Sequence, residues 1–145
     1  MHSMLARLAA AFVALVALVA CSSAAKPDRG SGAGLQSTTW LLVELGGVEV
    51  VNNDTHRAPY MVLEPKRRRF TGFAGVNRFA GTYSYVGSHL ALTLGPMTLM
   101  AGSDDAMELE SKFTAALSAV REFTLEGDRL TLLRDDRPLL VFRSN

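Results

Sequence analysis

The sequence predicts an α+β fold: a small antiparallel β-sheet or partly closed barrel of about eight short strands packed on one α-helix. Three observations lead there. Short runs such as GTYSYVG and HLALTL alternate along the chain with the period of a strand that buries one face. Glycine-bearing tips separate such runs, as hairpin turns require. A single stretch, SDDAMELESKFTAALSAV, carries apolar residues at helical spacing.

The elements follow in order from Thr38. TTWLLVEL, Thr38 to Leu45, is an apolar strand that stops at the turn signal Gly46-Gly47, and Val48 to Val51 is the returning strand. Asn52-Asn53-Asp54 breaks the pattern. Tyr60 to Glu64 is a short strand closed by Pro65, and the basic run Lys66 to Arg69 leads into FTGFAG. In Gly81 to Gly87, Tyr83 and Tyr85 share one face, with Thr82 and Ser84 on the other. After a turn at Gly87-Ser88, His89 to Leu94 places Leu90, Leu92 and Leu94 on one face. The helix begins near Ser103 or Asp104, with carboxylates in its first turn, where the helix dipole favours them. Ala106, Leu109, Phe113, Leu117 and Val120 form a stripe that should lie against the sheet, and Glu108 precedes Lys112 in the favourable i,i+4 order. Glu122 to Leu125 and Leu130 to Leu133 flank the tip Glu126-Gly127-Asp128 as a hairpin; Asp135 to Pro138 turns the chain into a last strand, Leu139 to Phe142. The domain therefore runs over 38–145.

What precedes it reads as an address. MHSMLAR supplies one firm positive charge, Arg7, and Leu8 to Ala20 is an uncharged apolar run of 13 residues. A membrane span needs about 20 residues, so residues 1–20 match a secretory signal instead. The run closes on Leu18-Val19-Ala20-Cys21, the form of a bacterial lipobox, whose cysteine thiol takes the diacylglycerol and becomes the acylated N-terminus. The plainer readings are an ordinary signal peptide with an incidental cysteine, or a short membrane anchor. Residues 21–37, rich in Ser, Ala and Gly after Cys21, read as a flexible tether. Ser22 after the cysteine leans towards the outer membrane, facing the periplasm, in a Gram-negative envelope of the enterobacterial type.

Composition excludes several classes. Cys21 is the only cysteine, which rules out a disulfide scaffold and a cysteine-based zinc site. Loss of Arg7 with the signal leaves 14 basic residues against 14 acidic ones, so no global basic footprint for nucleic acid remains. Asp104, Asp105, Glu108 and Glu110 lack an EF-hand pattern and read as a helix start. Lys66 to Arg69 reads as a solvated turn, with contact to anionic lipid or lipopolysaccharide as the alternative. His56 and His89 have no ligand-spaced partners, and no G-x-S-x-G elbow is present. Catalytic, cofactor-binding and metal-binding residues are thus expected to be none.

Thr71 to Tyr83, TGFAGVNRFAGTY, is glycine-rich but leads into a strand, without the lysine of a P-loop and without a helix N-terminus to receive a phosphate. It reads as a strand, a turn or bulge around Gly75 to Asn77, then another strand, with Asn77 or a glycine suited to a left-handed position in the turn. The same residues carry a family resemblance. Gly75-Val76-Asn77-Arg78-Phe79-Ala80-Gly81-Thr82-Tyr83 is similar to the G-C-N-R-x-x-G-x-Y signature of the META domain family, which includes heat-shock-inducible bacterial lipoproteins of the HslJ type. Thr98-Leu99-Met100-Ala101-Gly102 resembles that family's T-x-M-A-C element; Trp40, the E-x-x-F of Glu110 to Phe113 and the G-D-x-L-x-L of Gly127 to Leu132 fit as well. Both family cysteines are absent, with Val76 and Gly102 in their places. The joint loss implies that the two positions are paired in relatives, as a disulfide.

The resemblance implies a non-enzymatic lipoprotein of the cell envelope, joined to the membrane through its lipid and acting in stress response or integrity by contact with an envelope protein. The alternative is a periplasmic binding module for an apolar ligand, or an inhibitor of an envelope enzyme. No cofactor is implied.

Overall fold

The computed structural model describes residues 34–52 and 57–145; Cys21, the leader, most of the expected tether and His56 lie outside the described residues. The elements are β1 (Thr39–Leu45), β2 (Val48–Glu49), β3 (Tyr60–Glu64), β4 (Arg69–Phe73), β5 (Arg78–Val86), β6 (His89–Met97), α1 (Asp104–Ala119), β7 (Glu122–Glu126), β8 (Arg129–Arg134) and β9 (Arg137–Ser144). All pairings are antiparallel, in the order β2-β1-β3-β4-β5-β6-β7-β8-β9.

The sheet also closes on itself. β1 pairs with β9 from Trp40↔Ser144 to Leu45↔Leu140, so the first and last long strands seal a ring. Register shifts at Leu42/Glu44, Phe79/Gly81 and Leu132/Leu133 supply the extra bend and twist that closure needs. The weakest link is β6 to β7, paired only at His89↔Glu122. Here the chain leaves the sheet to form α1, as the single interruption of the strand pattern predicts.

The alternation read from the sequence becomes an inside and an outside. β3 buries Met61 and Leu63, β8 buries Leu130 and Leu132, and β5 buries Phe79 and Tyr83. Trp40, Phe70, Phe113, Phe123 and Phe142 are fully buried and fill the interior. Phe113 of α1 ties the two walls together: its ring lies 6.0 Å from Phe79 of β5 and 6.3 Å from Phe142 of β9.

Two close approaches demand glycine. A Cβ on Gly81 would stand 2.4 Å from both the Phe70 ring and the Thr93 carbonyl oxygen, and one on Gly72 would stand 2.0 Å from the Tyr60 carbonyl oxygen.

Several boundaries differ from expectation. The returning strand after Gly46-Gly47 is only Val48–Glu49. β5 begins at Arg78 and β6 continues to Met97, because β5 and β6 pair across the full hairpin. The domain starts earlier than Thr38. Leu35 is fully buried and its carbonyl accepts the Trp40 indole N–H at 2.9 Å, while the Ser37 amide donates to the Leu63 carbonyl at 2.9 Å. One leucine in a polar stretch carries too little pattern to show this, yet it closes one end of the ring.

Candidate functional site

The polar centre of the molecule is the place where the β4–β5 turn, the loop after β6 and the second turn of α1 meet. The turn is tight: the Ala74 amide donates to the Asn77 carbonyl at 2.8 Å, and Gly75 adopts φ 126. A Cβ there would lie 3.4 Å from the Ala106 carbonyl oxygen, so the turn rests directly on the helix. Of the two residue types the sequence offers for the left-handed position, the glycine takes it, at Gly75; Asn77 is not among the positive-φ residues. Asn77 is needed for its side chain.

That side chain is 3% exposed and fully bonded. Asn77 Oδ1 accepts from the Met100 amide at 2.7 Å and from Thr98 Oγ1 at 2.8 Å; Asn77 Nδ2 donates to Glu110 Oε1 at 2.8 Å and to the Met100 carbonyl at 3.1 Å. Glu110 Oε2 accepts the amides of Asn77 at 2.6 Å and Val76 at 3.1 Å. Thr98 Oγ1 also accepts the Arg78 amide at 3.1 Å. A buried amide and a buried carboxylate are expensive without partners, and here each one is the other's partner.

Glu110 therefore departs from the expected group of helix-start carboxylates. Asp104, Asp105 and Glu108 are exposed, whereas Glu110 is buried beside Phe113. Its position three residues before Phe113, beside the apolar stripe, was the available signal: a carboxylate on that side of a helix requires a donor. Lys112 hydrogen-bonded to Glu108 at 2.6 Å holds that exposed carboxyl below its ordinary range.

The other signature residues take separate places. Trp40 is core; Arg78 points its side chain to solvent and contributes its backbone; Gly81 admits the Phe70 ring. Tyr83 lies across the ring's end, with its hydroxyl accepting from Gln36 Nε2 at 2.8 Å and donating to the Glu64 carbonyl at 3.2 Å. Burial raises the Tyr83 phenol above its usual range, partly offset by the Gln36 hydrogen bond and Arg68. Met100 is pinned by its backbone while its side chain is exposed. Val76 and Gly102 touch: a Cβ on Gly102 would lie 3.5 Å from Val76 Cβ.

Two shallow concavities flank α1. One, of about 500 Å³, lies over the polar centre and is lined by Met97, Leu99, Met100, Met107 and Thr114. The other, of about 360 Å³, lies between β2 and α1 and is lined by Leu45, Val48, Val50 and Leu109, with Glu49 and Asp105 among its polar residues. His89 sits exposed at the β5–β6 hairpin. Among the described residues no three His, Cys, Asp or Glu side chains converge as a metal site would require.

A ring of strands sealed by one helix, with its buried polar groups joined to one another, defines a small α+β domain whose signature residues serve as fasteners. The META domain model matches residues 33–145, and the chain belongs to the META domain family. Among solved structures it is similar to a protein from Burkholderia xenovorans determined by NMR, with a TM-score of 0.66 and 25% identity over 86% of this chain and 94% of that one. A second protein determined by NMR has a TM-score of 0.60 at 19% identity, covering 78% of this chain and 93% of that one. A duf4847 family protein from Bacteroides vulgatus, in a crystal structure, has a TM-score of 0.57 at 17% identity, covering 80% and 98% respectively. The last two likenesses concern the fold alone. No curated protein matches the chain.

Proposed function

We propose that the chain is a lipid-anchored, non-enzymatic META-domain protein of a bacterial envelope, acting in stress response or envelope integrity through contact with another envelope protein. The observation that carries the anchor is the order of the N-terminal sequence: Arg7, the apolar run Leu8 to Ala20, then Leu18-Val19-Ala20-Cys21 directly before a polar segment and the domain. The reading of the domain as a contact module has its support in the polar centre. Asn77, Thr98 and Glu110 are turned on one another, and the apolar side chains they position at the surface are Leu99, 98% exposed, and Met100, 64% exposed.

The anchor is tested with Cys21→Ser in the full chain. Incorporation of labelled palmitate should be lost, and the protein should leave the membrane fraction after a high-salt wash. Retained label or unchanged fractionation rejects the anchor. Crosslinking of the lipidated protein in its own envelope then tests the partner; recovery of lipid adducts alone counts against a protein contact.

The groove between β2 and α1 favours a second reading, a binding module for an apolar ligand. Saturable binding of a fatty-acid-like probe that Val48→Glu abolishes would support it over the first.

A further inference from the structure

We propose that the Lys66–Arg69 loop is a second membrane contact, which docks the domain on anionic phospholipid with the ring's tethered end facing the bilayer; this rests on the lipid-anchored reading. The sequence alone leaves this basic run as a solvated turn. The fold adds where it stands.

β3 and β4 pair up to Glu64↔Arg69, so Pro65 to Arg68 form the tip of a hairpin. All four cations, Lys66, Arg67, Arg68 and Arg69, are exposed, and among the described residues none forms an ion pair with a carboxylate. Arg68 is held at φ 50 with its guanidinium 5.5 Å above the Tyr85 ring, which leaves Lys66, Arg67 and Arg69 free to face outward. Glu64 is the one carboxylate within this turn.

The chain enters the domain beside that tip. Ser37 bonds to Leu63, and Gln36 reaches Tyr83, whose hydroxyl bonds to Glu64, the last residue before the loop. β1 runs antiparallel to β3, with Thr39 opposite Val62, so the start of β1 and the basic loop share one end of the ring. The β5–β6 turn lies at that end too and presents Val86, 80% exposed. Residues 22–33 separate Cys21 from the first described residue, and twelve residues span at most about 40 Å. An acyl anchor at Cys21 thus keeps the tethered end of the ring, where the cations stand, within about 40 Å of the bilayer. The diacylglycerol and N-terminal acyl group expected at Cys21 anchor the chain by themselves, so what the basic loop adds is the orientation of the domain on the bilayer. The carboxylates of the β7–β8 turn lie at the same end; Asp128 is paired with Arg143 at 2.8 Å, which leaves Glu126 as the opposing charge across the ring.

The test uses the purified mature chain carrying Cys21→Ser, so that no acyl group contributes. It is sedimented with vesicles of phosphatidylglycerol and phosphatidylcholine, and with vesicles of phosphatidylcholine alone. Each basic residue near an anionic surface strengthens binding about fivefold, so partitioning should favour the anionic vesicles by about tenfold or more and fall at high salt. Lys66→Glu with Arg67→Glu and Arg69→Glu should abolish the preference. Reversal of Arg134 and Arg137, at the opposite end of the ring, should leave it intact. Arg68 is kept because it stacks on Tyr85, and circular dichroism checks that the triple variant folds. Independently, a Val86→Trp chain should be quenched by brominated phosphatidylglycerol. Equal binding to both vesicles, an unaffected triple variant, or no quenching overturns the proposal. Failure of the anchor would instead appear in the Cys21→Ser fractionation, so the two readings fail separately.

Discussion

Asn77 and Glu110 couple distant parts of the chain, because each satisfies polar groups that are largely buried. Asn77→Ala leaves the Met100 amide and Glu110 Oε1 without their buried partner. At about 1–3 kcal/mol for each unsatisfied group, it should cost about 3 kcal/mol in chemical denaturation. Glu110→Gln conserves shape but turns an amide N–H₂ towards groups that are themselves donors, and should cost about 2 kcal/mol. A loss below about 0.5 kcal/mol in either variant would mean that water replaces the bonds easily, as at an ordinary surface site. The pair Val76 and Gly102 gives a second prediction. Cβ atoms about 3.5–4.5 Å apart suit a disulfide, and here the separation would be 3.5 Å. In a Cys21→Ser background, Val76→Cys with Gly102→Cys should oxidise spontaneously and stabilise by about 3 kcal/mol, as closing a loop of this length does. Persistent free thiols under oxidising conditions would reject it. The resemblance named these residues, but spacing along the chain gives no distance: residues 77, 98 and 110 meet only after three separate elements have folded.

At the scale of elements, α1 is the piece whose sequence and position agree most fully. Its apolar stripe was legible because helical periodicity is strong over 16 residues, and Phe113 and Leu117 are indeed fully buried. Phe113→Ala should cost about 3–5 kcal/mol, since the ring packs against both walls and its removal leaves a void between them; a change of less than about 1 kcal/mol would show that the walls collapse onto the gap. The outer face behaves differently. The Lys112 ammonium lowers Glu108, so the stabilisation from this pair is present above the ordinary carboxylate range and is lost as pH falls through the lowered value. Lys112→Ala should return Glu108 upward in an NMR titration; an unmoved midpoint would show that the two side chains do not stay together in solution. Short strands were less legible than the helix. β2 has two residues and depends on its pairing with Glu44 and Leu45, so its extent is set by the partner and not by its own pattern.

The whole molecule depends on a pairing that no local pattern contains. Apolar runs identify β1 and β9 as strands, yet nothing in either segment says that Leu42 will lie opposite Phe142. Closure joins the two ends of the domain, and it converts edges that would be open into paired ones. It also makes the ring cooperative: β1 is held on one side by β3 and on the other by β9, so neither side can be lost without exposing Trp40, Leu42 and Phe142 together. Trp40 is the only tryptophan and is 1% exposed, which makes its fluorescence a direct report on this seam. Unfolding followed by Trp40 emission should coincide with unfolding followed by far-ultraviolet circular dichroism. Deletion of residues 140–145, which removes the β1-facing part of β9, should abolish the blue-shifted emission at all denaturant concentrations. If Trp40 instead became exposed well before the strand signal was lost, the β1–β9 seam would be a locally opening gate. The fold would then be better described as an open sheet with the helix against it, since a closed ring has no edge from which to unzip.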